Sequence, residues 1–320
     1  MNFLKFLGKR FASILIALVA VVTITFYLMH AAPGNFMEME QVREAKAAVD
    51  SKGRAAQQQY EREFKKRYAL DKPIYRQVGI FLANAARFKF GPSFGNPNVP
   101  IETLIASKFA ITLQIVTLGL LLALVVGVPM GVIAALKKNS VADYSLMGLS
   151  LIGQVVPSFV IAVGLIVLFS VVWGVLPTSG WGMCKHLILP ALAIGAAPIA
   201  TVARFIRSSI LETLEQDYIR TAYSKGLPEA TVVITHALRN SLIPLVTVMG
   251  PQFSFMLLGS VLVEQVFRIP GLGSMFVSAA QMRDYPMLVT STLIFAAAIM
   301  FINLTVDMLY AVLDPRIKLE

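Results

Sequence analysis

From Phe109 to Leu136 the chain carries no charged side chain, and Lys137-Lys138 close the run. About 20 apolar residues in a helix are enough to cross the hydrocarbon core of a bilayer. A stretch this long therefore predicts a transmembrane helix, and five others resemble it. Phe11–Met29 follows Lys5, Lys9 and Arg10, and Leu187–Ala203, Ser241–Val263 and Met287–Val306 are similarly apolar. Tyr144 to Met183 is also uncharged, but Pro177, Gly180 and Gly182 break it after a span ending near Val172. The expected fold class is an all-α integral membrane protein with six transmembrane helices, which places both termini on one side. A cleaved signal peptide competes for the first run, since "MHAAPG" offers small residues. The run exceeds the usual apolar core of such peptides and Pro33 would follow directly on the cut, which favours a retained span.

Composition agrees: 57% of the residues are hydrophobic and 14% charged, with mean hydropathy +0.71. Soluble domains have about 25% charged residues. The net charge of +10 does not mark a nucleic-acid binder, because the basic residues flank apolar runs instead of gathering on a polar domain. A single cysteine, Cys184, excludes an internal disulfide and a thiolate metal cluster. His30, His186 and His236 are far apart and form no paired metal motif. No GxxxxGK[ST] phosphate loop occurs, so no nucleotide hydrolysis is expected of this chain, and neither a cofactor nor a metal site is predicted.

Basic residues orient the spans. Short segments on the side of the termini carry Lys5, Lys9, Arg10, Lys137, Lys138, Arg204, Arg207, Arg220, Lys225, Arg239, Arg316 and Lys318; those opposite carry Lys185, Arg268 and Arg283. Twelve against three places the termini in the cytoplasm. The long, charged region 31–108 then lies outside, since long loops translocate largely regardless of charge. The chain divides into residues 1–30 (tail and first span), 31–108 (external), 109–313 (a five-helix core) and 314–320 (cytoplasmic tail).

One polar stretch stands out in this setting: "DYIRTAYSKGLPEATVVITHALRNSLIP", from Asp217 to Pro244. Asp217–Lys225 suits a short helix, with its acid at the positive N-terminal end and Lys225 at the other. Gly226 suits the left-handed position past a helix end. Pro228 fits the first turn of a second helix, beside Glu229 and running to about Arg239. The expected result is a helix–turn–helix along the cytoplasmic face. Residues alone leave two readings open, an amphipathic connector at the interface or a docking surface for a soluble partner.

The same stretch resembles the cytoplasmic signature loop of permease subunits in ATP-binding-cassette (ABC) importers. The general pattern is Glu-Ala-Ala, three residues, Gly, nine residues, then Ile-x-Leu-Pro. Here Arg220-Thr221-Ala222 holds the first position and Gly226 matches at the same offset. His236-Ala237-Leu238-Arg239 stands where Ile-x-Leu-Pro would fall, a departure shared by the peptide/nickel branch. "APGN", "FGPSF" (90–94), "GVIAALKKNSVADY" (131–144), "VPSF" (156–159), "EQVFRIPGLGSMFV" (264–277), "RDYP" (283–286) and "VDMLYAVLDPRI" (306–317) extend the resemblance over nearly the whole chain. Within the branch the chain looks most like the B-type membrane subunit of oligopeptide permeases, on the strength of "GPSF" and "LPTSGW". The resemblance implies the type I importer permease fold in a bacterial inner membrane. It also implies a second, C-type permease subunit, two ABC ATPase subunits that use ATP and Mg, and an external peptide-binding protein as partners. The coupling loop, about 208–240, would comprise Asp217, Tyr218, Arg220, Thr221, Ala222, Lys225, Gly226, Leu227, His236, Arg239 and Asn240.

Two acids near span ends are further candidates. Glu264, on the outer side of span five, is a candidate for a gate or mouth. Asp307, near the cytoplasmic end of span six, reads either as an ion-paired or snorkelling carboxylate or as a substrate contact. Gly127 and Gly131 have the GxxxG spacing of closely packed helices. "IPGLGSMF" (269–276) reads as a rigid outer turn and short helix, and "NLT" (303–305) lies inside a span and is discarded as a glycosylation site. The resemblance implies a subunit that forms half of a pathway for oligopeptides, with dipeptides, nickel chelates, glutathione and murein peptides as the alternative cargoes. The alternative from another class, an ion-coupled transporter or channel, predicts intramembrane charge relays or repeats that the sequence does not show.

Overall fold

The computed structural model describes residues 3–32, 62–63, 65–66, 68–95 and 98–313. These fall into two compact units. The first holds residues 3–6, 109–274 and 299–313; the second holds the rest. Ten helices are labelled here: α1 Phe3–Ala31, α2 Ile74–Ala85, α3 Ile101–Leu136, α4 Val141–Val155, α5 Ser158–Leu165, α6 Lys185–Leu214, α7 Asp217–Ser224, α8 Arg239–Phe267, α9 Leu272–Met282 and α10 Tyr285–Leu313. No named strand occurs among the described residues, which suits a medium where every backbone amide must be satisfied within its own segment. Five helices are long and apolar enough to cross a membrane, and a bent pair, α4 with α5 and its π-helical extension Ile166–Val172, would make a sixth.

Helix directions in the first unit follow from which residues meet. Gly119 lies against Ala191 and Gly195, Gly127 against Ile199 and Val202, and Gly131 against Ala203 and Ile206. Both sets of numbers climb together, so α3 and α6 run parallel. A Cβ at Gly131 would meet the Ala203 carbonyl oxygen at 2.5 Å, so these glycines are what let the two backbones touch. The GxxxG pair thus packs α3 onto α6. Elsewhere the numbers run in opposition: Asp143 and Gly153 meet Arg207 and Ala196, Thr112 and Gly119 meet Glu264 and Met256, and Gly250 and Ser254 meet Val306 and Asn303. Accordingly α4 is antiparallel to α6, α8 to α3, and α10 to α8.

This register decides how the bent pair counts. Since α3 and α6 run the same way, the chain must return once between Leu136 and Lys185. The Gly180 N–H donates to the Phe267 carbonyl at 3.0 Å, so the connecting loop sits at the end where α8 finishes and α3 begins. The α4–α5 segment with its loop therefore carries the chain back once, and counted as one span it brings the five candidates to the six that the sequence suggests. Its shape departs from the sequence-based expectation. Tyr144–Val172 was expected as one span, whereas the helix breaks by 110° between Val155 and Ser158. Val156 is extended (φ −79°, ψ 126°), because the ring of Pro157 disfavours helical geometry in the residue before it.

In the second unit, α1 packs Val22, Phe26 and Met29 against Val78 of α2 and Val289 of α10. Two motifs far apart in sequence meet here. The Asp284 carboxylate of "RDYP" accepts from the Ser93 hydroxyl of "FGPSF", from Gly95 N–H at 3.1 Å and from Met287 N–H at 3.2 Å. Tyr68 meets Phe94 edge-on, and Phe94 meets Tyr285 at a tilt, beside this junction. They border a cavity of about 180 Å³ that Phe26, Phe81 and Phe90 also line.

Candidate functional site

The segment from Asp217 to Asn240 forms a closed hairpin. α7 buries Ile219 and Ala222 against Val232, with Leu214 and Leu227 at the edge. Spacing of three residues puts Ile219 and Ala222 on one helix face, so Tyr218, Arg220, Thr221 and Lys225 are left exposed. Asp217 pairs with Arg220 across one turn at 3.6 Å, a solvated contact of little energetic weight. Thr221 spends its hydroxyl on the Asp217 carbonyl at 3.1 Å.

The turn follows the expected chemistry. Gly226 has φ +75° with open space around it, and the Gly226 and Leu227 N–H groups cap α7 by donating to the carbonyls of Tyr223 and Ala222. Pro228 stands just before the next helix, with ψ 147°, instead of inside its first turn. That helix is also not a separate short one ending near Arg239. One turn, Glu229–Thr231, passes through a π-helical stretch, Val232–Leu238, directly into α8. No glycine or proline intervenes between Glu229 and Pro244, so nothing stops the helix. His236 is half-buried in the π-helical stretch, and Arg239 and Asn240 are exposed at the start of α8. Asn240 Nδ2 donates to the Tyr218 hydroxyl at 2.8 Å, tying α7 back to α8. The outer face of α7 thus presents Asp217, Tyr218, Arg220, Thr221 and Lys225 to solvent.

Glu264 sits near the far end of α8 and is fully buried. One oxygen accepts from the Thr112 hydroxyl at 2.6 Å, the other from Ser274 N–H at 2.9 Å, while Thr112 accepts from Leu272 N–H at 2.8 Å. The carboxylate thereby caps the first turn of α9 and folds the "RIPGLGS" turn onto α3 and α8. Arg268 makes the reversal with φ +52°, and Gly271 and Gly273 leave room for the carboxylate, which a Cβ at either would crowd. The rigid turn and short helix expected over 269–276 are present. Asp307 is half-buried in α10, well apart in sequence from both groups. The structure thus gathers the hairpin residues into one element and leaves Glu264 and Asp307 outside it.

In sequence, Arg207 counts only as a topology charge and Asp143 only as the acid of "GVIAALKKNSVADY". They form a two-point ion pair, with Arg207 Nε at 2.6 Å from Oδ1 and Nη2 at 2.7 Å from Oδ2 of a carboxylate only 2% exposed. An acid directly ahead of an apolar run was the available signal, but its partner lies 64 positions away.

A bundle of long apolar helices with close glycine contacts and a polar helical hairpin is the build of an integral membrane protein. The chain belongs to the family described as "Binding-protein-dependent transport system inner membrane component", whose model matches residues 127–319. It is 36% identical to the oligopeptide transport system permease protein OppB of Haemophilus influenzae, over 98% of this chain and 99% of the relative. It is 38% identical to the dipeptide transport system permease protein DppB of Lactococcus lactis subsp. cremoris, with the same coverage. Among solved structures, the inward-facing MetNI methionine ABC transporter shares the fold: TM-score 0.57 at 18% identity, covering 66% of this chain and 96% of that one. The chain is a non-catalytic, multi-pass permease subunit of an ABC importer.

Proposed function

We propose that this chain forms half of a translocation pathway for oligopeptides in a bacterial inner membrane, and that ATPase subunits drive it through the hairpin at 217–240. Carrying the reading is the hairpin itself: α7 is stiffened from inside by Ile219, Ala222 and Val232, and the second arm is continuous with α8. A push on α7 passes through the Ile219–Val232 packing to the second arm, which continues without a break into the base of a membrane helix. Tyr218, Arg220, Thr221 and Lys225 offer the outward contacts. With the hairpin in the cytoplasm, as the basic residues place it, a soluble ATPase can reach it. A second, C-type permease completes the pathway, an external peptide-binding protein delivers cargo, and ATP and Mg are handled by the ATPases. The names of the relatives support peptides as cargo, with dipeptides the next choice.

The test is uptake of a peptide panel into vesicles holding the permease pair and both ATPases, with the binding protein supplied outside. Uptake that requires ATP and both ATPases is expected. Uptake driven by an ion gradient alone would contradict the reading.

A further inference from the structure

Asp143 and Arg207 lie outside the hairpin, yet they join the parts of the molecule that must move with it. Two parallel N–H···O bonds fix orientation as well as distance. The same carboxylate accepts from Asn139 N–H at 3.0 Å, and the Ser140 hydroxyl accepts from Asp143 N–H at 3.3 Å. The loop after α3, the first turn of α4 and the last third of α6 therefore meet at one buried group. A second contact lies further along the same two helices. At Gly153 a Cβ would stand 2.7 Å from the Ala196 carbonyl oxygen, so the backbones touch there. From 143 to 153 on one helix and from 207 to 196 on the other, about 15 Å of antiparallel helix is held at both ends.

One end of this clamped pair points toward the hairpin. Arg207 is about two turns from Leu214, where α6 ends, and α7 begins at Asp217. The other end leads through α4 into the 110° bend at Pro157. We infer that Asp143 and Arg207 are a positioning pair that makes the bent membrane pass follow the hairpin. A displacement entering at α7 moves the end of α6 and, through the ion pair, α4, instead of dissipating in the Lys137–Ser140 loop. Switching elements of this kind work as packed bodies with discrete arrangements. The inference rests on the reading that α7 receives an ATPase.

The informative change is Arg207→Lys. It keeps the charge that the buried carboxylate requires but replaces a two-point fork with a single point contact. In the complete importer reconstituted in proteoliposomes, peptide uptake and ATP hydrolysis are measured together. The variant is expected to retain its ATPases, melt with the wild type and hydrolyse ATP at a similar rate, while importing roughly tenfold less peptide per ATP. Gly153→Ala, which pries apart the same helices at their other contact, is expected to lower the same ratio. An unchanged peptide-per-ATP ratio in Arg207→Lys overturns the inference, including the case where uptake and hydrolysis fall in proportion. Should the lysine variant not assemble, Gly153→Ala stands in for it with the same two outcomes. ATP-independent uptake by the wild type would instead overturn the importer reading and leave the ion pair's role aside.

Discussion

The helical rod that begins at Glu229 and ends at Phe267 carries a polar cluster at each end, and the two are opposites. At the hairpin end, Tyr218, Arg220 and Lys225 face outward, and the Asp217–Arg220 salt bridge is solvated. At the Glu264 end the polar atoms turn inward, and their bonds reach other parts of the chain at Thr112, Leu272 and Ser274. The difference separates two uses of polarity in a membrane protein. Inward groups hold the fold, since buried polar atoms must be satisfied. Of the outward groups, Tyr218 ties α7 to α8 through Asn240, whereas the solvated Arg220 and the exposed Lys225 add little to the fold, which suits them to the partner contact proposed above.

That contrast predicts different failures. The largest loss of stability is expected from Glu264→Ala, which strands the Thr112 hydroxyl and the Ser274 amide. At about 1–3 kcal/mol for each unsatisfied group, a drop of roughly 3 kcal/mol or more should appear in thermal unfolding of the purified protein. Stability within error of wild type would show that the buried cluster does not hold the turn. Ile219→Ala removes the fully buried residue of the hairpin core. A cost of about 2–5 kcal/mol is usual for such a truncation. Here it is expected locally, as faster hydrogen exchange over 217–231 with little change in α3 or α6.

Gly226→Pro tests the turn. Proline holds φ near −65°, and this position has φ +75°, so the chain cannot keep its path. Coupled uptake should fall by about tenfold or more, with the membrane helices intact by circular dichroism. Normal uptake would dismiss the stiff-hairpin idea. The smallest structural effect belongs to Arg220→Ala. Its bond to Asp217 is solvated, so melting should not shift measurably, whereas retention of the ATPases during purification should weaken. A variant that melts earlier but keeps its ATPases would reverse the roles assigned to the two ends of the rod.

How much of this was legible in the sequence varies with the range of the interaction involved. Apolar runs located the passes, because bilayer thickness alone sets their length. Gly226 was legible because its turn is local. Pro157 was not, since prolines are poor punctuation in membrane helices: Pro129, Pro190, Pro198, Pro244 and Pro251 all sit within unbroken ones. At Pro157, unlike these five, the preceding residue leaves helical geometry. Merger of the hairpin's second arm with α8 was missed because the polar-to-apolar change after Arg239 suggested a boundary that the backbone does not make. The pairing of Asp143 with Arg207 depends on the register of α4 against α6, which no local pattern encodes. Glu264 was singled out as an ionisable group in a span, but its bonds to Thr112 on another helix and to Ser274, ten residues on, appear only in three dimensions.

The most direct test of the two-ended account is hydrogen exchange of the permease with and without its ATPase subunits. Added ATPases are expected to protect the amides of 217–231 and to leave Glu264–Ser274 unchanged, since the latter is already fully bonded within the chain. Unchanged exchange at 217–231, with protection arising elsewhere, would contradict the assignment of the hairpin as the docking element.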